Sequence, residues 1–277
     1  MPGPYSTPRG RAASCVAAKG CVSSSNGVCR VFVSASTRSF SDKSLAEACY
    51  LLDDLEYDKI ELWMDEGHDQ LKPSEVIADP EAFCVRYREA TRLTPVAFCL
   101  DSEVDPQGFQ VLTRVAKQLK VAQITLPASR LGTPFNSEID RLREFLKIGS
   151  QDGILVSIKT KTGHLTEDPD TAIELCQSAP GIGLTLDPSY YLCGPHRGGL
   201  YDQVYPFVYH VHLRDTTPEQ IQVPVGLGQL DYSRIISQLD RVKYNRALSV
   251  ETLPELGDPA ARLIELRKMR LLLESLL

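Results

Sequence analysis

The stretch GILVSIKTKTGHLTEDPDTAIELCQSA, residues 153–179, contains one copy of the unit from which the chain is built. Its first part, ILVSIKT, is short, apolar and β-branched, the composition of a strand buried on both faces. Asp168 before Pro169 then has the form of a helix start, an N-cap side chain ahead of a proline. The strand ends in Lys159 and, two residues on, Lys161, with no acidic residue beside either. Lysine is seldom buried alone, because taking its charge out of water costs several kcal/mol. Either both ammonium groups sit in water at a strand end, or one points into a site built to receive it.

Moving outward, the same alternation recurs. VFVSAST (31–37) precedes SLAEACYLLDDLEY (44–57); KIELWMD (59–65) precedes PEAFCVRYREAT (80–91); PVAFCLD (95–101) precedes PQGFQVLTRVAKQLK (106–120). VAQITLP (121–127) leads to SEIDRLREFLKI (137–148), and IGLTLDP (182–188) to a Gly/Pro-rich loop and LYDQVYPF (200–207). VYHVHLRD (208–215) leads to LDYSRIISQLDRV (230–242), and RALSVET (246–252) to DPAARLIELRKMRLLLESLL (258–277). Alternating strands and helices require a parallel sheet with right-handed crossovers. A doubly wound open sheet uses the same alphabet, but about eight units in roughly 250 residues is the size of a (β/α)8 TIM barrel, and no GxGxxG follows the first strand. The expected fold class is α/β, a single (β/α)8 barrel over residues 31–277. Ser44, Asp79 and Asp168 are its expected N-caps.

Composition narrows the function. The 277 residues are 43% hydrophobic and 24% charged, with a net charge of -6 and pI near 5.5. An acidic chain lacks the basic footprint of a nucleic-acid binder, and no apolar run reaches the roughly 18 residues that cross a bilayer. None of the eight cysteines forms a CxxC pair, which argues against structural zinc. Cys49, Cys84, Cys99 and Cys176 fall in apolar patterns, where a thiol behaves as a small hydrophobe. Residues 1–30, with Cys15, Cys21 and Cys29, lack the apolar core of a secretory signal and read as a flexible tail or an over-long start. A reducing cytoplasm is the expected compartment.

In a TIM barrel the active site lies at the C-terminal ends of the strands, and side chains alternate in and out. Ser157 shares parity with Lys159, Thr185 with Asp187, His210 with His212, and Ser249 with Glu251. Four consecutive strands thus each end in an ionisable residue, and Lys159, Asp187, His212 and Glu251 form the candidate site.

These fragments resemble the xylose isomerase-like barrel family of sugar and sugar-phosphate isomerases and epimerases. Its carriers are KIELW in the second strand, GLTLDP with Asp187, HVHLRD with His212 and Asp215, GLGQLDY at 226–232, and LSVET with Glu251. The resemblance implies a small-molecule carbohydrate or polyol substrate, leaves a homodimer open, and implies a divalent cation, Mn, Mg or Zn, held by Glu, Asp, His and Glu from strands five to eight. Asp187, His212 and Glu251 match the last three ligands. The first position falls on Lys159, a departure, because an ammonium ion repels a cation.

Three readings follow. In the first, Lys159 takes the metal's place as an electrophile, Glu251 moves the proton through an ene-diolate, and His212 assists. In the second, the barrel is a non-catalytic sugar-binding paralogue with a degenerate site, Lys159 and Asp187 forming a buried salt bridge. In the third, a Schiff-base lyase or aldolase uses Lys159 covalently, against which stand the acidic neighbours that raise its pKa. Around this site, Arg214 is expected inward near the rim, binding a substrate anion or pairing with Asp215. Trp63 is a ring-stacking wall or core, and Glu61 is placed to hydrogen-bond in the barrel floor. His68, in the loop after strand two on the active-site side, is a candidate substrate contact. The loop YYLCGPHRGG (190–199) is read as a water-excluding lid carrying His196 and Arg197. Tyr190 stands where the family often has histidine and is a candidate substrate contact, and Lys161 reads as a solvated charge.

Overall fold

A computed structural model describes residues 31–277; the expected tail, 1–30, lies outside the described residues. Eight strands form the barrel: β1 (Phe32–Ser36), β2 (Lys59–Met64), β3 (Thr94–Leu100), β4 (Gln123–Pro127), β5 (Leu155–Lys159), β6 (Gly183–Leu186), β7 (Val208–Leu213) and β8 (Ala247–Val250). Each pairs in parallel with the next, and β8 closes on β1 with Ala35 opposite Val250. The expected (β/α)8 TIM barrel is therefore the fold.

Outside the barrel run α1 (Leu45–Asp54), α2 (Pro73–Ala78), α3 (Pro80–Ala90), α4 (Pro106–Gln118), α5 (Phe135–Asp152), α6 (Pro169–Ser178), α7 (Pro188–Cys193), α8 (Tyr232–Arg241) and α9 (Arg262–Leu276). The start signals work as read. Ser44 and Glu47 make a reciprocal capping box, Asp79 accepts from Ala82 N, and Asp168 accepts from the amides of Asp170 and Thr171. Gly153 ends α5 at φ 73°, a left-handed cap that a Cβ would strain. Between helices and barrel lies an apolar layer. Phe109 of α4, for example, meets Phe145 of α5 edge to face at 4.8 Å, and both are buried. Each such side chain contributes roughly 2–3 kcal/mol of transfer free energy.

Two segments differ from the sequence reading. The fourth strand begins at Gln123 rather than Val121, since Val121 N still bonds Ala116 O at the end of α4. The first part of the expected lid is not loop but α7, because Asp187 caps it through Ser189 N and Pro188 pre-sets its first turn. Among the described residues, no helix is long and apolar enough to cross a membrane.

The barrel interior is polar in two layers. The lower one is neutral: Gln123 Nε2 donates to Ser157 and Thr125, and the Thr185 hydroxyl meets those of Thr125 and Ser157, each at 2.7 Å. The upper layer is charged; it lies two residues further along β5 and β6 and takes its other members from the ends of β1, β7 and β8.

Candidate active site

Lys159, Asp187, His212 and Glu251 converge at the C-terminal end of the barrel, all at most 1% exposed. Lys159 Nζ donates to both oxygens of Glu251, at 2.6 and 2.8 Å. The lysine therefore points inward, into a site that receives it. Its bond to Asp187, expected from the sequence, does not form. Asp187 is instead held by Arg214 Nη2, which also donates to Glu251 Oε2 at 2.7 Å, while Arg214 Nε donates to Glu251 O at 2.9 Å. Arg214 is thus not a rim residue but fully buried. Nor does it pair with Asp215, whose carboxylate accepts from the amides of Gly226 and Gly228 at 2.7 and 3.0 Å. That explains the GLGQLDY fragment: a Cβ on Gly228 would stand 1.9 Å from Asp215 Oδ1.

Glu61 anchors the opposite side. His210 Nε2 and His212 Nε2 each lie 2.6 Å from its Oε2. A carboxylate offers only acceptors, so both ring nitrogens carry protons. The other nitrogen of His212, Nδ1, is 3.0 Å from Glu251 Oε2, near enough for charge attraction but off a hydrogen-bond line. Burial opposes a charge on His212, yet Glu251 and Glu61 overcome it and raise the imidazole to about 9. Burial likewise disfavours the Lys159 ammonium, and Glu251 overrides it, holding the amine protonated above its ordinary value. Glu251 feels the reverse: against its burial, His212, Lys159 and Arg38 hold it well below the carboxylate range.

Two residues at the mouth escaped the sequence reading. Arg38 lies 3.3 Å from Asp101 and 3.4 Å from Glu251, with its guanidinium 5.3 Å from the Trp63 ring centroid. Asp101 also accepts from Lys161 at 3.0 Å and from Trp63 Nε1 at 3.3 Å. Lys161 is therefore not a free solvated charge. Trp63 is a buried wall tied to this acid. The parity rule contained the missing signal: continued two residues past Ser36 and Cys99, it lands on Arg38 and Asp101.

The remaining residues stand apart. His68 is half exposed and bonds Asp65, although its ring meets Trp63 edge-on at 4.9 Å. His196 faces Asp168 at 3.6 Å, and Arg197 bonds Pro218 O at 3.3 Å; neither contact joins the cluster. Tyr190 lies with its ring 5.5 Å from the Arg214 guanidinium carbon.

The donor set does not fit the divalent cation implied by the sequence resemblance. Glu61, Cys99, His212 and Glu251 each bring a ligand atom within 4.8 Å of the others, but Asp187 is outside this group. The Lys159 ammonium covers both oxygens of Glu251. Moreover, His212 Nε2 is committed to Glu61, and a thiol pushed far up by burial, as Cys99 is, resists becoming a ligand.

Comparison of the sequence with functionally curated proteins returned no match. Among solved structures, a xylose isomerase domain protein from Alicyclobacillus acidocaldarius superposes with a TM-score of 0.70 at 15% identity, covering 89% of this chain and 98% of that one. A xylose isomerase-like TIM barrel protein from Mycobacterium smegmatis, in complex with magnesium, gives 0.69 at 17% identity, covering 88% and 97%. D-psicose 3-epimerase, in the presence of D-fructose, gives 0.67 at 11%, covering 88% and 99%. At these identities the likeness speaks for the fold alone. The family described as xylose isomerase-like TIM barrel matches residues 49–270, most of the chain, and the protein belongs to that family.

Proposed function

We propose that this barrel is an isomerase- or epimerase-like protein for a small carbohydrate or polyol, working by proton transfer with Lys159 in place of a metal ion. The observation that carries it is the Lys159 ammonium bonded to both oxygens of Glu251. The D-psicose and L-ribulose 3-epimerases among the structural neighbours supply the substrate class.

In the free protein the ammonium restrains the base, since a carboxylate held far below neutral pH takes protons poorly. A substrate carbonyl that draws Lys159 Nζ onto its own oxygen weakens that hold, and Glu251 recovers basicity. Glu251 then removes the proton from the carbon beside the carbonyl, and the electron pair moves to the carbonyl oxygen. Lys159 stabilises the ene-diolate so formed. Movement of the neighbouring hydroxyl's proton to the first oxygen, with return of the carbon-bound proton from Glu251 to the former carbonyl carbon, isomerises the sugar. His212, 3.0 Å from Glu251 Oε2 and bonded through Nε2 to Glu61, sits beside the base and assists Glu251 in carrying the proton. The Schiff-base reading loses support, because an amine kept protonated by a buried carboxylate is not a nucleophile.

A second reading, ligand binding without turnover, is favoured by the same burial and by the saturation of Glu251 with cations. The test is incubation with ketohexoses and ketopentoses in D2O with chelator present. Deuterium appearing on the carbon beside the carbonyl, and lost in Glu251→Gln, supports the enzyme. Binding by calorimetry without exchange supports the second reading. About one equivalent of tightly held Mn, Mg or Zn in purified protein would overturn the replacement of metal by lysine.

A further inference from the structure

Glu251 is fully buried, and three of the four cations around it, Lys159, His212 and Arg214, are closed off from water as well. Arg38 is the fourth, and its side chain is 13% exposed. Among the groups around Glu251, Arg38 alone faces water, so the way from solvent to the base passes it. It is also the most loosely held. Lys159 and Arg214 donate to Glu251 at 2.6 to 2.8 Å, the spacing of a charge-assisted bond, whereas Arg38 Nη1 stands 3.4 Å from Glu251 and 3.3 Å from Asp101. Its other nitrogen, Nη2, lies 3.8 Å from Glu255, a carboxylate 57% exposed on the turn after β8. Departure of Arg38 strands neither acid, since Glu251 keeps Lys159, His212 and Arg214, and Asp101 keeps Lys161.

The guanidinium carbon lies 5.3 Å from the Trp63 ring centroid, and Nη1 faces Asp101 and Glu251. A planar cation suits that place, with an aromatic ring against it and carboxylates before its donors. A polyol would use the same three groups, laying an apolar face on the ring and turning hydroxyl donors to the acids. The two cannot be there together.

We propose that Arg38 is a plug built into the mouth: its guanidinium holds the place between Trp63, Asp101 and Glu251 that a substrate polyol takes, and it rotates outward to Glu255 to admit one. This rests on the function proposed above only for the identity of the incoming molecule. Trp63 is the single tryptophan of the chain and is buried, so its fluorescence reports on this space in the full-length protein. Acrylamide should quench it about fivefold more strongly in Arg38→Ala than in the wild type, where the ring is reached only in the fraction of molecules that open. Methylguanidinium should refill the place in Arg38→Ala at millimolar concentration and reverse the quenching, with neutral methylurea about tenfold weaker, the worth of a hydrogen bond to a charged group. Glu255→Gln, which removes the outer rest, should be quenched about twofold less than the wild type, the worth of an exposed ion pair. D-fructose should bind Arg38→Ala more tightly than the wild type by calorimetry, because nothing has to be displaced. Arg38→Gln replaces the alanine variant if circular dichroism shows that one unfolded. Quenching unchanged in the folded variant, no methylguanidinium binding, or D-fructose held more weakly by the variant than by the wild type would each overturn the plug. No D-fructose binding to either protein, with the quenching and methylguanidinium results as expected, would support the plug and count against the sugar reading alone.

Discussion

The lower and upper layers of the barrel interior meet on β5 and β6, where Ser157 lies two residues before Lys159 and Thr185 two before Asp187; the upper layer adds residues from the ends of β1, β7 and β8, and apart from Arg38 both are hidden from water. Below, Gln123, Thr125, Ser157 and Thr185 satisfy one another as neutral donors and acceptors. Above, Lys159, Arg214, Arg38 and His212 crowd around Glu251. A neutral network loses one bond when a member is changed, whereas a charged one leaves an uncompensated ion in a dry place. Neutral polarity suffices to fill a barrel floor; the charged layer is the costlier arrangement.

Four measurements break or sharpen this contrast. The largest effect is expected from Glu251→Gln, which removes the shared partner of four cations; urea unfolding should show a loss of about 4 kcal/mol, in the range for removing one partner of a buried pair. The next concerns pH. Because the folded pKa of His212 is raised to about 9, the stability it contributes is complete below its unfolded value near 6.5 and falls as pH rises through 9, by up to about 3 kcal/mol. His212→Asn should flatten that part of the stability profile, and an unchanged profile would disprove the charged imidazole. Third, Lys159→Met should cost less, about 2 kcal/mol, since Arg214, Arg38 and His212 still face Glu251. Smallest is Thr185→Val in the neutral layer, about 1 kcal/mol by the same unfolding assay. A Thr185→Val loss as large as that of Glu251→Gln would erase the distinction between the layers.

Much of this was legible beforehand. Apolar runs such as ILVSIKT, separated by capped amphipathic stretches, leave few alternatives to a parallel barrel, and period-two alternation put Lys159, Asp187, His212 and Glu251 on its inner face. The pairing was harder to see. Lys159 takes Glu251 rather than Asp187, and Asp187 spends one oxygen capping α7 and the other on Arg214. Glu61 was legible as a floor acceptor, but not as the partner of two histidines from the far side of the barrel.

The order of strands, the inward parity and the lysine at the end of the fifth strand are properties of the chain's one-dimensional pattern, and the sequence alone determined them. Which cation meets which carboxylate, and that Arg38 reaches Glu251, depended on the closed sheet. Closure brings residues more than ninety positions apart within 3 Å, and at that range side-chain reach and competing donors, not sequence spacing, select the partner.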